Sequence, residues 1–392
     1  MTVIWVVQFI SVASFQITMP FAPYYMQELG VDDLQALTRW VALFGAAAPL
    51  TLALFSPFWG ALSDRYGRRL MILRSHAGGA LILILMGLVR SVEGLVLLRL
   101  LQGAVTGTVI AAQMMVAGQT PAERSGYAMG TLAASTMSGS MFGALLGGVG
   151  AHLFGYRIPF FLAGGLQVTA FLLVLSFIRD SVPELAVSAP FPVARVRGRL
   201  QQIRLLFPLL MLAAWIGLVR QFERAYLPLL IQEIHGSLDG VALWAGGINA
   251  VGGVAGILAG VWLGRMADQM SLPRLTWIIS LGAALFSLIL AGAGNFGVLI
   301  PAYFVALLCA EGLEPVMQVW LVRNTPERVR GEAFGWASSA RAVGSVVAPL
   351  GGGVVAMFMG VRGVFAVGAL LFLCLIPTVL LTARISPPGA RE

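Results

Sequence analysis

The segment Gln119-Thr-Pro-Ala-Glu-Arg-Ser-Gly-Tyr-Ala-Met-Gly130 returns 205 residues later as Asn324-Thr-Pro-Glu-Arg-Val-Arg-Gly-Glu-Ala-Phe-Gly335, with Thr, Pro and both glycines in register. The register continues outward. Gly139 returns as Gly344, and Gly155, Arg157 and Phe160 return as Gly360, Arg362 and Phe365. On the other side, Gln16 and Pro23 match Gln221 and Pro228. A displacement held over this distance marks two copies of one unit, each about half of the chain.

The material of each copy is apolar. Of 392 residues, 58% are hydrophobic and 11% charged, and the mean hydropathy is +0.88. That composition describes a membrane protein and excludes a soluble enzyme or an independent nucleic-acid-binding module. Apolar runs fall at 3–26, 38–59, 70–89, 94–117, 125–150, 158–178, 206–231, 240–263, 274–294, 297–322, 333–358 and 361–383, numbered here as spans 1 to 12. Each has the roughly 20 residues that a helix needs to cross a bilayer. The expected fold class is therefore all-α: twelve transmembrane helices in two pseudo-symmetric six-helix bundles, at 1–178 and 206–392, joined by a polar, proline-containing linker at 179–205. We read the N-terminus as the first span, because no basic leader or small-residue cleavage site precedes the apolar run. Parallel repeats of this kind place a substrate site at their interface near the bilayer midplane and open it to each side in turn.

The charges report orientation. All 25 basic residues are arginine, so chemistry that needs a lysine, such as a Schiff base or a phosphate loop, is excluded. Arginines cluster in alternate short connections, at Arg65, Arg68, Arg69 and Arg74, and at Arg323, Arg328 and Arg330. This places both termini in the cytoplasm. The net charge of +8 thus follows from topology, and no nucleic-acid partner is expected. Cys309 and Cys374 stand in apolar runs as small hydrophobes, and His76, His152 and His235 are too scattered for a metal site.

Between spans 2 and 3 lies Gly60-Ala-Leu-Ser-Asp-Arg-Tyr-Gly-Arg-Arg69. Gly60 permits close helix approach, Asp64 can accept from a neighbouring helix N-terminus, and the arginines anchor the cytoplasmic side. With Gly60, Asp64, Arg65, Gly67, Arg68 and Arg69 matching, this segment resembles the signature loop of the major facilitator superfamily, and Gly264 and Asp268 form a weaker copy. Arg99, Gln102 and Gly103 fit a second signature of that superfamily, and Gly130, Gly139, Gly143, Gly147 and Gly148 follow the span 5 spacing associated with its antiporters. Ala144 departs from that motif, which has proline there; the second half supplies Pro349 at the equivalent position. The resemblance covers the whole chain and implies the twelve-helix drug:proton antiporter branch, which carries out multidrug efflux.

Ionisable residues inside spans are costly and mark functional candidates. Span 7 carries Arg220, Glu223 and Arg224 at spacings that share one helix face, span 10 carries Glu311 and Glu314, and span 11 carries Arg341. A Glu311 to Arg341 pair is one geometric option. The mates of Arg220, Glu223, Glu311, Glu314 and Arg341 in the first half are Phe15, Thr18, Thr106, Val109 and Thr136, none of them charged. Proton coupling is therefore expected in the second half, carried by Glu223, Glu311 and Glu314. Arg220, Arg224, Arg341 and Arg99 would serve as charge partners and substrate contacts. The alternative is that these charges only lock spans 7, 10 and 11 together. Gln16, Gln221 and Asn249 either line a cavity or bridge helices, and Trp215, Trp244, Trp320 and Trp336 either stack on substrate or pack.

The function expected is proton-coupled export of an amphipathic small organic molecule (a drug, an anionic metabolite or a chelator) across the bacterial inner membrane by alternating access. The arginines favour a carboxylate or phosphate on the substrate. A proton-coupled importer or a lipid flippase of the same fold are the alternatives, with a transport-fold sensor behind them. The chain is expected to be no enzyme, to need no cofactor, and to work as a monomer with its substrate, protons and membrane lipid.

Overall fold

In lipid a backbone must satisfy its own hydrogen bonds, and apolar runs of this length do so as helices. The structure, a computed structural model, describes residues 2–106, 125–178, 200–324 and 330–385. Among these, every regular element is helical: α1 (Thr2–Gln16), α2 (Ala22–Glu28), α3 (Leu34–Tyr66), α4 (Arg68–Leu88), α5 (Val92–Val105), α6 (Ser125–Phe154), α7 (Ile158–Phe177), α8 (Leu200–Phe222), α9 (Leu227–His235), α10 (Val241–Leu258), α11 (Gly264–Gln269), α12 (Leu272–Gly292), α13 (Phe296–Asn324) and α14 (Arg330–Ile385). A π-turn over Ala259–Leu263 joins α10 to α11. Nine helices among the described residues are long and apolar enough to cross a membrane. One of them, α14, holds spans 11 and 12, which part at Gly360, where φ is 73° and ψ 177°.

Left-handed glycines recur at the repeat's joints. Gly155 (φ 81°) is the mate of Gly360, and Gly67 (φ 88°) separates α3 from α4 in the signature loop. A side chain at these angles would be strained, which is why the repeat carries glycine there.

Two compact units divide the chain. The first comprises Met1–Trp40, Ala47–Pro192 and Gly236–Gly253. In it α1 packs on α6 and α7, and α4 packs on α7. Its core includes Ile4, Val7, Ile72, Leu132, Ala170 and Val174. Glycines set the α1 to α6 distance: any side chain at Gly139, Gly143 or Gly147 would collide with the Phe9, Ala13 or Ile17 carbonyl. Gly148 and Gly246 pack against each other in the same way, with Ala242 and Ala144 carbonyls beside them. Ala144, where the antiporter motif has proline, is fully buried at this contact. Small residues four apart on each helix permit this backbone-to-backbone packing.

The second unit comprises Val41–Ala46, Val193–His235 and Val254–Glu392. Here α8 packs on α14, and α12 packs on α13 and α14, around Leu212, Ile216, Ile279, Leu313, Val316 and Leu375. The linker expected at 179–205 falls largely outside the described residues.

Candidate functional site

The site is built where α8 and α14 come closest. A side chain at Gly217 would run into the backbone of Arg341, and one at Gly344 would run into the Ala214 carbonyl and the Leu218 amide. These two glycines form a notch in which the helices touch along their backbones. Arg220 lies one turn beyond Gly217 and Arg341 one turn before Gly344, so the notch sets two guanidinium groups side by side. Two such charges persist together only with acids between them.

Those acids come from α13. Arg220 is bidentate across two carboxylates, one nitrogen on Glu311 Oε2 and the other 2.8 Å from Glu314 Oε2. Arg341 pairs with Glu314 Oε1, which also accepts from Gln318 Nε2 at 3.1 Å. Arg224 stands 3.8 Å from Glu311 Oε1. Both oxygens of each glutamate are therefore engaged by cations. The Glu311 side chain is 13% exposed and that of Arg220 22%. Three arginines against two glutamates leave one excess positive charge. The Glu311 to Arg341 pair, one geometric option from the sequence, is not the one formed: Arg341 takes Glu314. Depth explains the choice, since Glu314 is as far from the end of span 10 as Arg341 is from the start of span 11.

Glu223 takes no part in these ion pairs, although it lines one cavity with Arg220 and Arg224. Pro228 has no N–H to bond the Arg224 carbonyl, so the helix cannot run through. Accordingly α8 ends at Phe222, and the Tyr226 and Leu227 amides close a turn on the Glu223 carbonyl at 3.0 and 3.1 Å. The Glu223 side chain packs over Gly368 on α14, where any side chain would displace it. It lines a cavity of about 30 Å³ together with Arg220, Arg224, Ser287, Tyr303, Phe365 and Phe372. Neither the buried Glu223 Oε1 nor the buried Ser287 Oγ makes a hydrogen bond of normal geometry.

The other expected residues are placed as follows. Arg99 belongs to the first unit and donates to Gln102 one turn away on α5. Asn249 donates to the Ala245 carbonyl of its own helix at 2.8 Å. Gln16 ends α1 and Gln221 lies near the end of α8, both half-buried. Trp215 donates to the Leu371 carbonyl at 3.1 Å and Trp320 is buried, so both are packing residues. In the signature loop Arg69 donates to the Leu175 carbonyl at 2.8 Å. Gly60, Asp64, Arg65, Arg68 and Gly130 lie on helical backbone, and their surroundings fall outside what is described.

Sequence reading missed Ser287, Tyr303 and Gly368 beside Glu223. It also missed a buried polar chain in the first unit, where Gln167 joins His76 Nδ1 and Ser14 Oγ, each at 2.6 Å. Hydroxyls and a lone histidine in apolar runs carry no local signal of what faces them.

Comparison with known sequences settles the family. The sequence profile of the Major Facilitator Superfamily matches residues 4–310 and 227–392. The chain belongs to the Major Facilitator Superfamily. Its relatives include multidrug resistance protein MdtG of Citrobacter koseri, 34% identical over 386 residues that cover 95% of this chain and 92% of that protein. MdtG of Proteus mirabilis is 32% identical over 364 residues, covering 93% and 90%. Among solved structures, the nucleoside transporter NupG superposes with a TM-score of 0.80 at 11% identity, covering 98% of each chain. The human organic anion transporter TETRAN gives 0.72 at 18% identity over 96% and 98%. At such identities the superpositions establish the fold alone, which is the all-α fold of this superfamily, and the chain is an integral membrane protein.

Proposed function

We propose that this member of the Major Facilitator Superfamily exports an amphipathic small organic molecule across the bacterial inner membrane in exchange for protons, by alternating access, with both termini cytoplasmic. The observation that carries the reading is the 34% identity to multidrug resistance proteins along 95% of the chain. The ion network supports the proton part: a cluster of three arginines and two glutamates inside spans 7, 10 and 11 is too costly to be ornamental in a membrane. In this reading Glu223, Glu311 and Glu314 form the coupling set, Arg220, Arg224 and Arg341 hold them and meet the substrate, and the protein works as a monomer without a cofactor or a nucleic-acid partner.

The sign of the coupling follows from charge. Protonating any of the three acids adds one positive charge to the site, which expels a bound cation and retains a bound anion. Exchange of substrate for proton thus suits a cationic or neutral amphiphile, whereas the excess guanidinium draws a carboxylate. Reconstituted proteoliposomes with an imposed pH gradient test both points, using ethidium as the cationic probe and carboxyfluorescein as the anionic one. Accumulation of ethidium against its gradient, abolished by collapsing the pH gradient, is expected. Transport of either probe that ignores the pH gradient would overturn the proton-coupled reading.

A further inference from the structure

The three acids of the coupling set are held in two different ways, and the difference bears on which of them exchanges the proton. Glu311 and Glu314 each face two cations. Protonating Glu314 strands Arg341, which is three-quarters buried, and protonating Glu311 strands Arg224, so the network resists both. Glu223 has no cation on its buried Oε1. Its protonation strands nothing.

The surroundings of Glu223 supply what a neutral carboxyl needs. Ser287, on the facing surface of α12, is fully buried, and its hydroxyl faces the Glu223 carboxyl without a hydrogen bond of normal geometry. The two groups line the same cavity, with Tyr303 of α13 on its wall. About 30 Å³ admits about two waters, each of which needs roughly 10–15 Å³ and several polar partners. The charged and titratable groups that face Glu223 are Arg220 and Arg224 from its own segment and Tyr303 from α13, where Glu311 stands beyond. The surfaces of α12 and α14 contribute Ser287, Phe365, Gly368 and Phe372, none of them charged. In the first half the mates of Glu223, Ser287 and Tyr303 are Thr18, Ile82 and Leu98. The constellation belongs to the second half alone.

We infer that the cavity between Glu223, Ser287 and Tyr303 is the proton-binding site of the transporter, holding a neutral Glu223 carboxyl whose O–H donates to Ser287 or to a water shared with it. Glu311 and Glu314 remain ionised as the arginines' counter-charges throughout the cycle. Taking up a proton turns the Glu223 carboxylate into the acid and leaves the neighbouring network with its excess positive charge. Releasing the proton restores the carboxylate and brings the region to neutrality. Ser287 is a positioning residue in this scheme, since it acts through the carboxyl it holds. The inference rests on the proton-coupled reading above and names the acid within it.

Infrared difference spectroscopy on the full chain in lipid nanodiscs, recorded across a pH titration, tests it. A carbonyl-stretch band of a protonated carboxyl is expected in the wild type. The band should vanish in Glu223→Gln, shift in frequency in Ser287→Ala, and persist in Glu311→Gln and Glu314→Gln. Ser280→Ala removes another buried hydroxyl without a partner on α12, one that does not line the cavity, and should leave the band unmoved. Should Glu223→Gln not accumulate as folded protein, Glu223→Asp keeps the acid but shortens its reach and must move the same band. A band that survives Glu223→Gln, that vanishes in Glu311→Gln or Glu314→Gln, or that ignores Ser287→Ala overturns the inference. The broader reading fails separately, through wild-type proteoliposomes whose ethidium transport ignores a pH gradient.

Discussion

The two halves share one backbone and differ in what they bury in it. In both, a glycine on the fifth helix of the half presses against the backbone of the first: Gly139 meets the Phe9 carbonyl, and its mate Gly344 meets the Ala214 carbonyl. Beside the first contact Thr136 accepts a hydrogen bond from Gln8 at 3.2 Å. Beside the second, Arg341, the mate of Thr136, pairs with Glu314. Thr18, the mate of Glu223, bonds its own helix at the Phe15 carbonyl, 3.0 Å away. Thr106, the mate of Glu311, bonds the Gln102 carbonyl at 2.8 Å. The first half thus satisfies these positions with uncharged hydrogen bonds, some within one helix and some between helices, whereas the second places charges that depend on partners from other helices. A helix frame held by glycines tolerates either solution, which is how one half can carry chemistry while the other keeps the fold.

Substitutions at mated positions test this contrast. The largest effect is expected at Arg220→Gln, which removes the one cation that Glu311 and Glu314 share and leaves Arg224 and Arg341 to hold them singly. Removing one side of a buried pair costs about 3–5 kcal/mol, and solvent access to this network brings the expectation to the lower end. Thermal unfolding in detergent should show a large drop, partly restored by combining Arg220→Gln with Glu311→Gln. Substitutions of Phe15, the mate, by leucine should cost far less. An equal loss at both positions would mean that the second half's charges have no special standing.

Next come the glycine contacts themselves. Gly344→Val and Gly139→Val should each destabilise by about 1–3 kcal/mol through overpacking, measured in the same way, because both collide with backbone that cannot yield. The two values should agree within about 1 kcal/mol if the frame is common to both halves. A loss confined to Gly344→Val would show that the repeat is conserved in sequence without sharing its mechanical role.

The smallest effect is expected at the outer ends, where the repeat preserves an ion pair. Arg362 lies 2.7 Å from Glu233 and Arg157 lies 3.9 Å from Glu28, and all four residues are mates across the halves. Exposed pairs contribute about 0–1 kcal/mol. Glu233→Gln should cost more than Glu28→Gln, because the second-half pair is closer and Arg362 also donates to the Ala291 carbonyl at 3.0 Å. Double-mutant cycles read from denaturation midpoints resolve the difference. The reverse order would contradict the geometry.

How much of this was legible in the sequence depends on the range of the interaction. Apolar runs, arginine-rich connections and the displacement by 205 are periodic features, so the spans and the pairing of the halves could be read directly. The glycines at 139, 143, 147 and 344 were legible as contact points because small residues at helical spacing have few other uses in a span. The identity of the ion pairs was not, since Glu311 and Glu314 lie on one face and only the relative depth of α13 and α14 decides which meets Arg341. Glu223 shares a cavity with the arginines, as a spacing of three and four residues allows, but its separation from their ion pairs depends on contacts with other helices that no local pattern encodes. Ser287, Tyr303 and Gly368 left no trace: each is ordinary in an apolar helix until three helices bring them to one cavity.

The central claim is that proton coupling resides in the second half's acids. Its most direct test is substrate-induced proton movement in proteoliposomes, comparing the wild type with the triple variant Glu223→Gln, Glu311→Gln and Glu314→Gln. The wild type should move protons when ethidium is added and should accumulate ethidium against its gradient. The triple variant should retain passive ethidium exchange, lose proton movement, and no longer accumulate the dye under an imposed pH gradient. Accumulation at the wild-type rate in a folded triple variant, with protons still moving, would contradict the account and place the coupling group outside these three residues.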